Sequence, residues 1–141
     1  MNQWEHLLQG EYAERSRILS GLTLEQVSAV PAEQGHSIFA ELWHTALWQK
    51  IVLRDQPWEE GDLHPAHGPE KLEEWTDLVT EFLSGLETAL DLTRSPERLN
   101  LTVEPGVTMS DALRGLAVHN AYHMGKIVAL RQLMGVWTTE S

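Results

Sequence analysis

Apolar residues recur three and four positions apart in four stretches of the chain, the spacing of an amphipathic helix. The first runs from about Asn2 to Ser20, with Trp4, Leu7, Leu8, Tyr12, Ile18 and Leu19 on its stripe and Gly21 as its stop. A short turn capped by Thr23 follows, to Val27. The second runs from about Ser37, a capping residue, to Asp55, and places Ala40, His44, Leu47, Trp48 and Ile51 on one face. Pro57 ends it, and the segment QPWEEGDLHPAHGP, with three prolines and two glycines, reads as a loop. The third runs from about Pro69, well suited to a first turn, to Leu92. Its stripe of Leu72, Trp75, Val79, Phe82, Leu86 and Ala89 is widened by Leu78, Leu83 and Leu90, so it touches more than one neighbour. The period then falls to two at Leu99, Leu101 and Val103, with a turn at Pro105-Gly106. The fourth helix runs from about Ser110, with Ser110 or Thr108 as its cap, to Met134, with Gly135 as its stop. The expectation is an all-α, antiparallel four-helix bundle with a short extended connection before the last helix.

Length adds that residues 1–141 form one domain around one core. No apolar run approaches the roughly 20 residues of a membrane span. The first residues, MNQWEHLLQGEYAERS, lack the basic start and continuous apolar core of a secretory signal, so the expected location is cytoplasmic. The net charge of −11 makes a poor footprint for nucleic acid, because that affinity comes largely from Lys and Arg against phosphates. The acidic excess lies between Asp55 and Glu81, where nine carboxylates face Lys71 alone, and reads as a solvated face. There is no cysteine, which removes disulfides, thiolate ligands and a cysteine nucleophile together. Any metal must be held by nitrogen and oxygen.

Seven histidines then change the picture. His119 and His123 are four apart and stand one turn apart on one side of the last helix. Such a pair is weak alone, since seven histidines in this length give about a third of one by chance. But both lie in line with Ala112, Leu116, Ile127, Leu130 and Met134, and His44 sits between Ala40 and Leu47/Trp48 on the second helix. Imidazoles on inward faces need polar partners. Three of them from two facing helices would make a metal site with open positions, as catalytic sites have. Spacing and burial leave metal ligands and hydrogen-bonded core histidines both open.

The surrounding residues bring a resemblance. HNAYHMGKIVALRQLMG is similar to the last-helix signature of the DinB/YfiT-like superfamily, a group unrelated to the DNA polymerase that shares the DinB name. The matching positions are His119, His123, Gly125, Lys126, Ile127, Arg131 and Leu133 to Gly135. The segment ELWHTALWQK resembles the place of that family's first metal histidine, which falls on His44. The resemblance covers essentially the whole chain. It implies an up-down-down-up bundle, a three-histidine site holding zinc, nickel or another divalent ion, and a homodimer. Its characterised branches include S-transferases using bacillithiol, mycothiol or glutathione, and a maleylpyruvate isomerase. Lys126 stands where the family more usually has Gln, and is expected to point outward.

The functional expectation is metal-dependent transfer of a low-molecular-weight thiol to small electrophilic substrates. The alternatives are a metal-dependent hydrolase and a non-catalytic metal-binding stress-response bundle. Around the three histidines, Glu41 is a weaker candidate for holding an imidazole N–H or acting as a base, and a surface carboxylate is its plainer reading. Trp48, one turn from His44, is the pocket candidate. His64 and His67 are expected to be exposed and inert, with cover over the site as the sharper alternative. Tyr122 and Asn120 are expected to point away from the site. Ser37 with His36 has no third partner, which disfavours a serine hydrolase.

Overall fold

The computed structural model describes residues 2–10, 13–31, 33, 35–54 and 56–138. Its element order is α1 (Gln3–Gln9), α2 (Arg15–Ile18), α3 (Leu24–Ser28), α4 (Ile38–Arg54), a 3-10 turn (Glu60–Leu63), α5 (Leu72–Thr93), α6 (Pro96–Leu99), β1 (Thr102–Glu104), β2 (Val107–Thr108) and α7 (Met109–Leu133). This is the expected all-α bundle, and β1 and β2 pair antiparallel as the short extended connection.

The first predicted helix is broken in two. Gly10 ends α1 at φ 105°, and a Cβ there would collide with the Ala13 carbonyl, so only glycine fits. Tyr12, placed on that helix's stripe, lies outside the described residues, as does Asp55 at the predicted end of the second. Elsewhere the caps decide the boundaries. Ser37 Oγ accepts from Ala40 N at 3.0 Å at the start of α4. Thr108 and Asp111 form a reciprocal capping box at the start of α7, which resolves the choice of cap in favour of Thr108. At its other end Gly135, at φ 71°, lets Val136 N reach the Arg131 carbonyl at 2.9 Å. Pro69 falls outside α5, which starts after Lys71. The Glu74 carboxylate accepts from Glu70 N at 2.8 Å just ahead of that start, and Leu72 is exposed rather than on the stripe.

Two apolar clusters fill the bundle. One joins Ile18, Ile38, Phe39, Leu42, Phe82, Leu86, Met124 and Ile127. The other joins Leu8, Ala89, Leu90, Leu113, Leu116 and Ala117. The order in which each helix meets them gives its direction. The chain from α1 to α2 and the chain along α7 both run from the second cluster to the first, whereas α4 and α5 run from the first to the second. The bundle is therefore up-down-down-up, antiparallel across the α4/α7 contact. Parallel α4 and α5 need a long crossover, and the described residues 56–71 belong to it. Trp43 Nε1 donates to the Asp62 carbonyl at 3.0 Å and fastens that crossover to α4.

Candidate metal centre

α4 and α7 pack against each other, and antiparallel packing sets the site. Moving along α4 from Glu41 through His44 to Trp48 runs against α7 from His123 to His119. Glu41 therefore faces His123, and Trp48 faces His119. The centroids of the His44 and His123 rings are 4.7 Å apart, those of His119 and His123 4.5 Å, and those of His44 and His119 5.4 Å. One ligand nitrogen from each of the three lies within 4.8 Å of the other two. The three histidines singled out in the sequence are thus brought together and positioned to hold one metal ion.

Glu41 is a buried carboxylate rather than a surface one, at 6% exposure. Its Oε2 accepts from His123 Nδ1 at 2.8 Å, which fixes the tautomer and leaves the Nε2 lone pair free to bind a metal. Burial pushes the Glu41 carboxyl up. The His123 hydrogen bond and the charges of Lys126, His123 and His36 together outweigh that, and hold it below its ordinary value. Lys126 only half fits its outward reading. Its side chain is partly exposed, yet Nζ lies 3.9 Å from Glu41 Oε1 and 4.8 Å from the centre of the Tyr122 ring.

The residues present fit a divalent cation on two independent grounds. His119 Nδ1 is buried with no hydrogen-bond partner among the described residues, an unusual state for a ring nitrogen. Burial, with His123 and His44 adding, pushes the His119 imidazole down to about 4, and burial likewise lowers His44. Both rings are neutral near pH 7 and carry the lone pairs that a metal needs. Three imidazoles without thiolates suit zinc, nickel, copper or iron better than calcium or magnesium.

The site opens on a cavity of about 190 Å³ bounded by His36, Glu41, His44, His64, His123 and Lys126. His64 stacks on His36 with ring centroids 5.6 Å apart and lies 6.3 Å from the His44 ring. It is exposed, as expected of a loop histidine, but it stands at the mouth of the site. His67 does not. It is exposed, contacts the Gly68 carbonyl at 3.2 Å, and borders a separate cavity with Phe39, Trp43 and Leu78. Trp48 lies 5.6 Å from the His119 ring, and Trp58 packs edge-on against Trp48 with ring centroids 5.6 Å apart. Tyr122 is exposed, with its ring edge-on to His123.

Asn120 is aimed away from the histidines, as expected, but into the core. Its Nδ2 donates to Gln49 Oε1 at 3.1 Å, and Gln49 Nε2 donates to the Phe82 carbonyl at 2.9 Å. His36 at the cavity rim and the Gln49–Asn120 pair were missed by sequence reasoning. The shared side of Gln49, Thr45 and Leu42 on α4 was the available signal.

Arg131, one of the signature residues, has a structural task. Its guanidinium donates to the carbonyls of Ile18 and Ser20 at 2.7 and 2.8 Å and to Val136 at 2.9 Å, tying the end of α7 to α2.

Compared with known proteins, residues 7–127 match the family model of the DinB superfamily, and the chain belongs to that superfamily. Neither a curated protein nor a solved structure matches it. Among the described residues no helix is long and apolar enough to cross a membrane.

Proposed function

We propose that this DinB superfamily chain is a single-domain, homodimeric metalloenzyme that uses His44, His119 and His123 as ligands, with zinc or nickel as the ion. The proposed reaction is transfer of a low-molecular-weight thiol to small electrophiles. The observation that carries this reading is a cluster of three imidazoles, one with an orphaned buried nitrogen, beside a cavity rather than sealed beneath side chains. A structural zinc site is closed by four protein ligands, whereas three ligands and a cavity leave room for a reactant.

A bound divalent ion would supply Lewis acidity and make a thiol or a water more acidic at the site. The chain's own residues do the rest. Glu41 orients His123 through Nδ1 and raises its basicity as a ligand. Lys126 at the rim offers a positive charge to an anionic reactant. His64 and His36 stand where a proton leaving the thiol would be taken up. The Trp48–Trp58 pair offers apolar surface for the electrophile. With no cysteine in the chain, the thiol comes from a small molecule.

The test is metal analysis of untagged protein, followed by assay of the reconstituted protein with bacillithiol, mycothiol and glutathione against alkylating electrophiles. Conjugate should form well above the rate of the His119→Ala variant. Conjugate formation no faster than with the His119→Ala variant, across all three thiols, would remove the transferase reading. Hydrolysis of ester or amide substrates by the same protein would put water in the thiol's place, and a metal-bound but inert protein would favour a binding role.

A further inference from the structure

A second cavity lies on another side of α7. It is an open groove of about 600 Å³ between α1, α2 and α7, and it shares no residue with the histidine cluster. Its wall includes Leu7, Ile18, Met124, Val128 and Trp137. Along α7, Ala117, Ala121 and Gly125 fall four apart and keep the floor low. A Cβ on Gly125 would meet nothing within 4 Å, so the space above the floor is open.

The groove also carries a charge that no described residue compensates. Arg15 lines it and is 9% exposed, yet its Nε is buried with no hydrogen-bond partner, and no carboxylate among the described residues pairs with it. Arg15 also borders a smaller cleft with Glu14 and Glu87, and neither forms an ion pair with it. Burial lowers the Arg15 pKa, the mark of a cation taken from water without compensation. His6 Nδ1, in the same wall, is likewise buried and without a partner among the described residues. The chain bears a net charge of −11, but no Asp or Glu among the described residues lines this groove. The backbone makes room for the cation: a Cβ on Gly10 would sit 3.1 Å from an Arg15 terminal nitrogen.

A buried, unpaired guanidinium is costly, and a planar carboxylate meets its fork with two parallel hydrogen bonds. Apolar walls with a few convergent polar groups are the usual make-up of a small-molecule site. Arg17 also lines this groove, but its guanidinium is engaged by the Thr138 carbonyl and the Trp137 ring, which leaves Arg15 as the cation a ligand would meet. We propose that the groove between α1–α2 and α7 binds an amphiphilic organic anion, its apolar body along Leu7, Ile18 and Val128 and its carboxylate on Arg15. This site is separate from the metal reading and does not depend on it.

The test uses decanoate below its micelle concentration, with 1-decanol and decyltrimethylammonium as neutral and cationic counterparts, by titration calorimetry and by Trp fluorescence. Decanoate should bind the wild-type protein at least about tenfold more tightly than decanol, since a charge-assisted bond to Arg15 is added. Arg15→Gln should bring decanoate down to the level of decanol and leave decanol unchanged. Ala121→Trp, an exposed position on the floor, should block both ligands with unchanged circular dichroism. If Arg15→Gln fails to fold, the decanoate–decanol difference and Ala121→Trp decide. Equal binding of decanoate and decanol, decanoate binding that survives either variant, or no binding at all would each overturn the proposal. So would absence of binding together with a dimer that Ala121→Trp splits into monomers, which would make the groove a subunit interface.

Discussion

Two polar clusters join α4 to α7, barely more than one turn apart, and they are built on opposite rules. Gln49 and Asn120 sit between the two apolar clusters, where both amides are buried. Both side-chain N–H groups find carbonyl acceptors, one on the partner amide and one on the Phe82 backbone, so the pair ties three helices together. Only Asn120 Oδ1 is left without a partner among the described residues. Even the neighbouring backbone is shaped to it, since a Cβ on Gly85 would collide with the Gln49 amide. The histidine cluster has the same helices and nearly the same depth, and it too leaves one buried atom, His119 Nδ1, without a partner among the described residues, yet it opens on a cavity. A polar group kept for stability is surrounded by partners. A polar group kept for a ligand is held in place beside open space, and the His123–Glu41 bond at the edge of the cavity has that form.

The largest effects should separate the clusters cleanly. His44→Ala, His119→Ala and His123→Ala should each weaken metal affinity by more than the roughly 100-fold upper limit expected from losing a hydrogen-bonding neighbour of a ligand. His64→Ala and His67→Ala should keep it. Calorimetric titration of the metal-free proteins checks this. Metal lost with the two loop variants and kept with the three helix variants would mean that the wrong histidines were chosen.

The next effect runs the other way. Gln49→Ala strands the buried Asn120 amide N–H and opens space beside Gly85, while the Phe82 carbonyl keeps its partner within α5. The loss should cost about 2–4 kcal/mol. Metal affinity of the folded fraction should change less than threefold. Urea unfolding beside the same titration measures both, and a stable variant that has lost metal would erase the distinction between the clusters.

The sequence made one cluster more legible than the other. His44, His119 and His123 stood out because histidine is rare on an apolar stripe, and the signature around Gly125 and Arg131 reinforced them. Thr108, Ser37 and Gly135 marked helix ends because capping is a local matter of two or three residues. Glu41 was visible only as a candidate, since a single carboxylate one turn from His44 does not say whether α7 will cover it. Gln49 and Asn120 were silent for the same reason: an amide reads as surface until the facing helix is known. The break at Gly10 was hidden because Trp4, Leu7 and Leu8 continue the helical rhythm right up to it. The groove beside Arg15 could not be read at all, because it depends on where α2 lands against α7.

The smallest effect concerns pH, and it tests whether burial holds the histidine rings neutral. The His119 imidazole is pushed from its ordinary 6.5 down to about 4 by burial, with His123 and His44 adding, and His44 is lowered as well. Below pH 6.5 the unfolded chain therefore takes up protons that the folded, metal-free chain does not. The stability owed to these rings is fully present above about pH 6.5 and drains away as pH falls toward 4. Because His119 is half-exposed, solvent screening discounts the shift, and roughly 1–2 kcal/mol should be lost. Measuring between pH 7 and pH 5 keeps the Glu41 carboxyl, held below its ordinary value, largely out of the titration. Within that window His119→Gln should flatten the curve of stability against pH. Asn120→Ala removes no titratable group, so it should lower the whole curve without changing its slope. Parallel curves for the wild type and His119→Gln would show that the ring is no harder to protonate in the folded protein, and that water already satisfies the nitrogen taken here to be waiting for a metal.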